Sequence, residues 1–305
     1  MLKHLLSLMQ RAMRWSSPTN QLLKLSLSSP IIPPGQHAEN ENSLYLLPHS
    51  IPEYERLYFQ HYLLYKVLKN RHFFVTLHNP QYILDVGSGT GHWVYDVAKQ
   101  FPKAIVFGTD IVLPARPSNE AINVSFKRHN ILQEDLPFRA HSFDFVHMRF
   151  MTSALPTNSL NHVMLTLWQM VKPGGWIEWI EPGELTNAGP GTTALWNAWR
   201  ILGEKRGMNV QPGNNIRSAF ESVPLIHIKE HHIEIPVGGN NQRLGTLSGK
   251  DGVALAKALG PNILEEKIMT EPEFNQALYN AGKEINDPYS QCIWSIYAIT
   301  GQRPL

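Results

Sequence analysis

The sequence predicts an α/β fold: a doubly wound, seven-stranded sheet with a helical N-terminal lid and an insert before the last strand. Three observations carry that expectation. Short apolar runs alternate with helical patterns from Gln81 to about Glu181, as parallel strands joined by crossover helices do. The first of these runs leads straight into a glycine-rich turn, "DVGSGTG", that opens a helix. Two late alternating stretches close the chain with no clear crossover apart from a Gly-rich, helical insert between Pro236 and Asn286, which suggests an antiparallel edge.

Taken in order, "IPEYERLYFQHYLLYKVLKN" reads as a helix with Pro52 near its first turn and Leu57, Leu64 and Leu68 at core spacing. "QYILDV" is a short buried strand, and after the glycine turn "HWVYDVAKQF" is a helix with Trp93, Val97 and Phe101 on one face, stopped by Pro102. "AIVFGTD", "INVSFKR" and "FDFVHMRF" are the second, third and fourth strands, with a polar connection between the last two. In "SLNHVMLTLWQMVK", Leu160, Val163, Met164, Leu167, Met170 and Val171 follow helical spacing, and "KPGG" is expected to end the helix. "GWIEWIE" is the fifth strand. Thr192 then begins a helix carrying Leu195, Trp196, Trp199 and Leu202, and "LIHIKEHHIEIP" and "SQCIWSIYAITG" are the sixth and seventh strands.

The chain of 305 residues is long enough to bury a sizeable core. Its 27 basic residues nearly balance its 25 acidic ones, so no bulk positive field supports nucleic-acid binding. No apolar run approaches the roughly 18 residues of a membrane span. A single cysteine, Cys292, excludes an intrachain disulfide framework and reads as a small buried hydrophobe in a reducing compartment. Residues 1–43 form a separate basic, Ser/Pro-rich extension, ahead of a domain spanning 44–305. Glu39 is the first carboxylate, and Leu2, Leu5, Leu6, Met9 and Met13 share one helical face. Such a leader suits a mitochondrial presequence or a disordered extension; the localisation expected is cytoplasmic or nuclear, with mitochondria as the alternative.

The glycine turn carries the chemistry. Gly87, Gly89 and Gly91 crowd into five residues beside a core strand, where each glycine costs about 0.5–1 kcal/mol relative to alanine, so a ligand must approach the backbone closely. Bare backbone and a helix N-terminus then face that ligand. Asp110 ends the second strand about 20 residues further on, where a carboxylate can accept both hydroxyls of a ribose. The dinucleotide fingerprint wants a glycine at the next position, yet His92 stands there. Asp85, just before the turn, makes this a different pattern.

"LDVGSGTG", "GTDI", "FDFVHMR" and "MVKPGGWIEWIE" together resemble the motifs of a Rossmann-like class I S-adenosylmethionine-dependent methyltransferase. "YERLYFQHYLL", "HMR", "KPGGWIEWIE" and "GQRP" are similar, more narrowly, to the LaeA-like (TAM-domain) methyltransferases of fungi, and the likeness runs from Leu44 to Pro304. The resemblance implies S-adenosyl-L-methionine as cofactor. It implies a cofactor set of Asp85, Gly87, Ser88, Gly89, Gly91, Asp110, Ile111, Asn130, Ile131, Met148 and Arg149. Asp85 would hold the methionine ammonium, Asp110 the ribose diol, Asn130 and Ile131 the adenine, and Met148 with Arg149 the sulfonium end. "KRHN", Lys127 to Asn130, departs from the commoner pattern, in which an acid follows the third strand.

No catalytic residue is specified; Tyr54, His61 and Glu181 are the weak candidates, each with packing as its plainer role. Glu178 and Glu181 lie three apart on a strand and so face opposite ways, with Glu181 at the functional carboxyl end. The expected site walls are the N-terminal helix with Tyr54, Tyr58 and His61, the fifth-strand end with Glu181, the Trp196 and Trp199 helix, and the insert from Val237 to Met269. His231 and His232 alternate across a strand and lack partners at metal-ligand spacing, so no metal is expected. Ser88 does not match the GxSxG nucleophile elbow, because Gly89 follows it at once. The function expected is methyl transfer to an O or N acceptor, on a small molecule of secondary metabolism. A protein side chain is the second choice of substrate, and a LaeA-like regulatory protein acting through protein partners the alternative.

Overall fold

A computed structural model describes residues 46–48, 50–114, 122–133, 136–210, 213–239 and 243–305. The N-terminal extension, with its presequence reading, lies outside the described residues. Seven strands form one sheet: β1 (Tyr82–Val86), β2 (Ile105–Asp110), β3 (Val124–Arg128), β4 (Phe143–Arg149), β5 (Val171–Thr186), β6 (Ile226–Pro236) and β7 (Ile293–Gln302). Their order is β3-β2-β1-β4-β5-β7-β6. Pairing is parallel from β3 to β5, while β7 runs antiparallel to both β5 and β6, as the expected edge requires.

Central β1 is buried on both sides, so it reads as a continuous apolar run rather than an alternating one. Ile83 joins Val106 and Phe145 on one face, under Trp93, Val94 and Val97 of helix α2 (His92–Gln100). Leu84, Val86, Val146 and Met148 take the other face. They lie under Val163, Met164 and Leu167 of α3 (Leu160–Met170) and Ile216, Ala219 and Phe220 of α5 (Gly213–Glu221). Burying each such side chain contributes roughly 1.5–3 kcal/mol.

Three departures from the sequence reading have local causes. Val171 ends no helix; it opens β5 and pairs with Phe143. "KPGG" is absorbed into the strand because Gly174 takes φ +75° and the register shifts between Phe143 and Phe145. Helix α5 has no counterpart in the sequence reading, although Ile216, Ala219 and Phe220 carry its i, i+3, i+4 stripe. The insert resolves into α6 (Leu244–Glu265) and α7 (Glu271–Asn286), which pack with α4 (Pro190–Lys205) around Trp199, Leu202, Leu259, Ile263 and Phe274. A capping box between Thr270 and Glu273 starts α7.

The N-terminal helix α1 (Ile51–Val67) is capped by Ser50, with Pro52 in its first turn. Leu64, with Leu68 just past the helix end, packs on Ile180, Ile296 and Ala298. Leu57, expected in the core, is only half-buried; Glu53, Arg56 and His61 are buried instead. Cys292 is buried one residue ahead of β7. Among the described residues no helix is long and apolar enough to cross a membrane.

Candidate functional site

Register brings the sequence-predicted residues into one row. Val86 pairs with Thr109 on one side and Met148 on the other, so Gly87, Asp110 and Arg149 emerge side by side at the carboxyl edge. The chain order reverses at β1, and such a switch point opens a crevice for a ligand.

All three loop glycines occupy the left-handed region, with φ of +68° at Gly87, +51° at Gly89 and +75° at Gly91. A Cβ on Gly91 would come within 2.6 Å of the Phe126 ring, whereas nothing lies within 4 Å of the same point on Gly89, which borders open space. Gly89 N–H donates to Asp110 Oδ2 at 2.8 Å, and Val112 N–H to Oδ1 at 3.0 Å. Burial pushes the Asp110 carboxyl up in pKa, against the pull of those two bonds. Tyr54 on α1 lies close enough for burial and the charges of Asp110 and Glu53 to raise its phenol.

Asp85 is buried, and its Oδ1 accepts from His147 Nδ1 at 2.7 Å. His147 is fully buried and stacks flat on Trp93, ring centres 4.1 Å apart. Burial lowers its pKa in spite of Asp85, so a neutral ring donates from Nδ1. His147 Nε2, Ser88 Oγ and Thr109 Oγ1 are buried with no protein partner. Orphaned polar atoms around a glycine loop suit a polar ligand.

On the facing side, Arg149 reaches His61 Nδ1 at 3.0 Å and His61 Nε2 reaches Asp96 Oδ2 at 3.0 Å. A guanidinium only donates, so Nδ1 is the acceptor and Nε2 carries the proton. Burial, together with Arg149, holds the His61 pKa below its usual value although Asp96 opposes this. Asp96 lies well below the usual carboxylate range because His61 and Lys99 outweigh its burial. His92 donates or accepts at Thr90 Oγ1, 2.7 Å away, and packs against the Tyr58 ring at 4.4 Å. Helix α1 thus touches both the glycine loop's helix and the end of β4.

A cavity of about 140 Å³ lies behind α1, lined by Phe150, Trp196, Trp199 and Trp294 and, from the insert, by Ser248, Asp251 and Leu259 among others. Its size matches that of apolar cavities able to take a single ring. Three polar side chains at its wall, Arg56, Gln60 and Asp251, join α1 to α6. Among the described residues no group of three or more His, Cys, Asp or Glu could hold a metal ion.

A family model described as a methyltransferase domain matches residues 59–224, more than half of the chain. The chain belongs to this methyltransferase family. It is 32% identical over 236 residues to methyltransferase str3 of Strobilurus tenacellus, covering 74% of this chain and 83% of that protein. It is 33% identical to N-methyltransferase verN of Clonostachys rogersoniana, covering 88% and 96%. Methyltransferase pytC of Aspergillus terreus is 26% identical, covering 88% and 85%.

In this methyltransferase Asp85, Ser88, the glycines, Asp110 and Arg149 converge at one edge of the sheet. Ile111 follows Asp110 there, half-buried. Asn130 and buried Ile131 follow β3, and the Asn130 carboxamide oxygen already accepts from Leu132 N–H at 3.0 Å. Met148, by contrast, puts its side chain in the core, fully buried.

Glu181 is no open substrate contact. It is fully buried, and its oxygens accept from Trp179 Nε1 at 2.6 Å, Met151 N–H at 2.8 Å and Thr152 Oγ1 at 2.9 Å. Burial pushes it up to about 7 even so. Its work is to fasten the turn after β4 to β5. His61 likewise has its one lone pair facing Arg149.

The sequence reading missed His147 and the Glu53–Arg56–Asp251 cluster. Glu53 and Arg56, three apart on a helix, look like a surface pair; only the fold, through Asp251, buries them.

Proposed function

We propose that the protein transfers a methyl group from S-adenosylmethionine to an O or N acceptor on a small molecule of secondary metabolism. One observation carries the reading: two carboxylates, Asp85 and Asp110, flank a left-handed glycine loop at the switch point, and a ring-sized apolar cavity lies behind the same α1 helix. The donor set fits the cofactor. Asp85 Oδ1 is taken by His147, leaving its other oxygen for an ammonium, and Asp110 keeps lone pairs for a ribose diol beside Gly89. The unpartnered Ser88 Oγ adds a polar atom to the same loop. Bound there, the cofactor supplies an electrophilic methyl on a sulfonium that departs neutral.

This chain's residues then bind, aim and exclude water. Holding two reactants in near-attack geometry can supply roughly 7–11 kcal/mol of the barrier, and α1, pinned by His61 and Arg56, is the wall that does so. The printed name of verN, an N-methyltransferase, supports nitrogen as an acceptor. The narrower LaeA-like reading, a regulator acting through protein partners, is the alternative; a ring-sized cavity lined by Trp196, Trp199 and Trp294 favours catalysis on a small molecule.

The test is calorimetric titration with S-adenosylhomocysteine and, separately, with a nicotinamide dinucleotide, followed by mass spectrometry for a methylated product from an extract of the source cells. Binding of the sulfur compound and a product heavier by one methyl are expected. Tight dinucleotide binding without the other would sink the reading.

A further inference from the structure

The cavity behind α1 is mostly apolar, and the charged side chains that line it are Arg56 and Asp251, with Glu53 paired to Arg56. Arg56 gives Nε and Nη2 to Glu53 at 2.8 and 2.7 Å, a two-pronged pair that uses one edge of the guanidinium. Only Nη1 turns to Asp251, at the longer distance of 3.2 Å, and Gln60 Nε2 approaches the other Asp251 oxygen at 3.2 Å. Asp251 is 4% exposed and lines the cavity. A carboxylate accepts about four hydrogen bonds, so Asp251 has capacity left. Two carboxylates share one described cation, and a surplus negative charge in an apolar wall is costly unless something pairs with it.

A second, independent observation points to a ligand. Trp199 and Trp294 line the same cavity, and both indole Nε1 atoms are buried with no partner. Buried indole N–H groups usually find an acceptor.

We propose that the cavity takes a protonated amine carried on a ring-sized apolar body that also bears an oxygen acceptor, and that Asp251 recognises the ammonium. The inference rests on the methyltransferase reading and names its substrate class. Ring faces of Phe150, Trp196, Trp199 and Trp294 favour both the apolar body and a nearby cation. The ammonium supplies the charge that Arg56 alone does not, and the oxygen meets an indole N–H. Burial raises the pKa of both Glu53 and Asp251, although Arg56 opposes the shift at each. A nitrogen held as ammonium has no lone pair, so this contact anchors the molecule and another atom receives the methyl.

The test uses three probes of one shape on the full chain with S-adenosylhomocysteine present: 2-(4-methoxyphenyl)ethylamine, the matching alcohol and 3-(4-methoxyphenyl)propionate. Calorimetry should show the amine binding at least about tenfold more tightly than the alcohol, no binding of the propionate, and loss of the preference in Asp251→Asn. Equal binding of amine and alcohol, tighter binding of the acid, binding of none, or a preference that survives in a folded Asp251→Asn protein would overturn the proposal. If Asp251→Asn fails to fold, the comparison in the unaltered protein decides alone. Failure of S-adenosylhomocysteine itself to bind would count against the methyltransferase reading, whereas intact cofactor-product binding without amine preference removes only this inference.

Discussion

Arg149 donates to Nδ1 of His61 across 3.0 Å, and that contact fixes which ring nitrogen carries the proton. It also ties the end of β4 to α1, and Asp96 on α2 completes the chain of contacts from the other ring nitrogen. A protonated His61 would turn a second N–H toward a guanidinium, so the arrangement selects the neutral ring. His61 is therefore a positioning residue whose lone pair is already in use.

His61→Ala is expected to lower single-turnover rates well short of the roughly 10⁴-fold that a strong general base supplies, and to leave S-adenosylhomocysteine affinity nearly unchanged. The rate is measured on whichever acceptor the extract experiment yields. Deleting α1 is expected to abolish turnover by opening the site to water. A loss beyond about 10⁴-fold from the point change, with cofactor-product binding intact, would identify a dedicated base at this position.

Asp110→Ala is expected to weaken S-adenosylhomocysteine binding by roughly 1.5–3 kcal/mol, the scale of hydrogen bonds to a charged group. The same carboxylate accepts from Gly89 N–H, so the variant also loosens the glycine loop. Its melting temperature should stay close to the parent's, since the strand it ends is held by pairing on both sides. Calorimetry and thermal melting together check both halves.

Local patterns made most of the fold legible. The glycine turn, the acid ending β2 and the helical stripe of α3 all lie within one or two elements, where spacing alone carries the signal. Contacts between distant parts of the chain were not legible: Asp251 is 195 residues from Arg56, and His147 is 62 from Asp85. Glu181 shows why periodicity falls short. Its position at the carboxyl end of the expected strand suggested a substrate contact, but the turn after β4 folds back and covers it with the backbone of Met151 and Thr152. β5 also continues to Thr186, because β7 pairs with it through Leu185 and Trp294.

Two glycine substitutions should move stability in opposite directions. Gly91→Ala meets both a left-handed φ and the buried Phe126 ring, so a loss of more than about 1 kcal/mol is expected. Gly282→Ala lies inside α7 with nothing within 4 Å of the new methyl, and helix propensity alone should stabilise it by about 0.5–1 kcal/mol. Denaturant melts of the two variants check the signs. A neutral Gly91→Ala would mean that the loop has another conformation available.

Glu178 sets the pH dependence expected of the sheet. It is fully buried on β5, one oxygen accepts from Phe74 N–H at 2.7 Å, and the other has no partner. Burial pushes its pKa from 4.5 up to about 8, so the folded protein keeps a proton that the unfolded chain has released. Between those values the folded state binds more protons, and the contribution of Glu178 to stability therefore falls as pH rises, reaching its floor above about 8. Glutamine retains an oxygen for Phe74 and cannot ionise. The melting temperature of Glu178→Gln relative to the parent should consequently climb from pH 5 to pH 8 and flatten beyond, as read from thermal melts in a buffer series. Glu181, raised to about 7, titrates in the same range in both proteins and largely cancels in the difference, since the two side chains sit on opposite faces of the strand. A difference that stays level across the series would show that the folded protein does not hold the proton on Glu178 above its ordinary range.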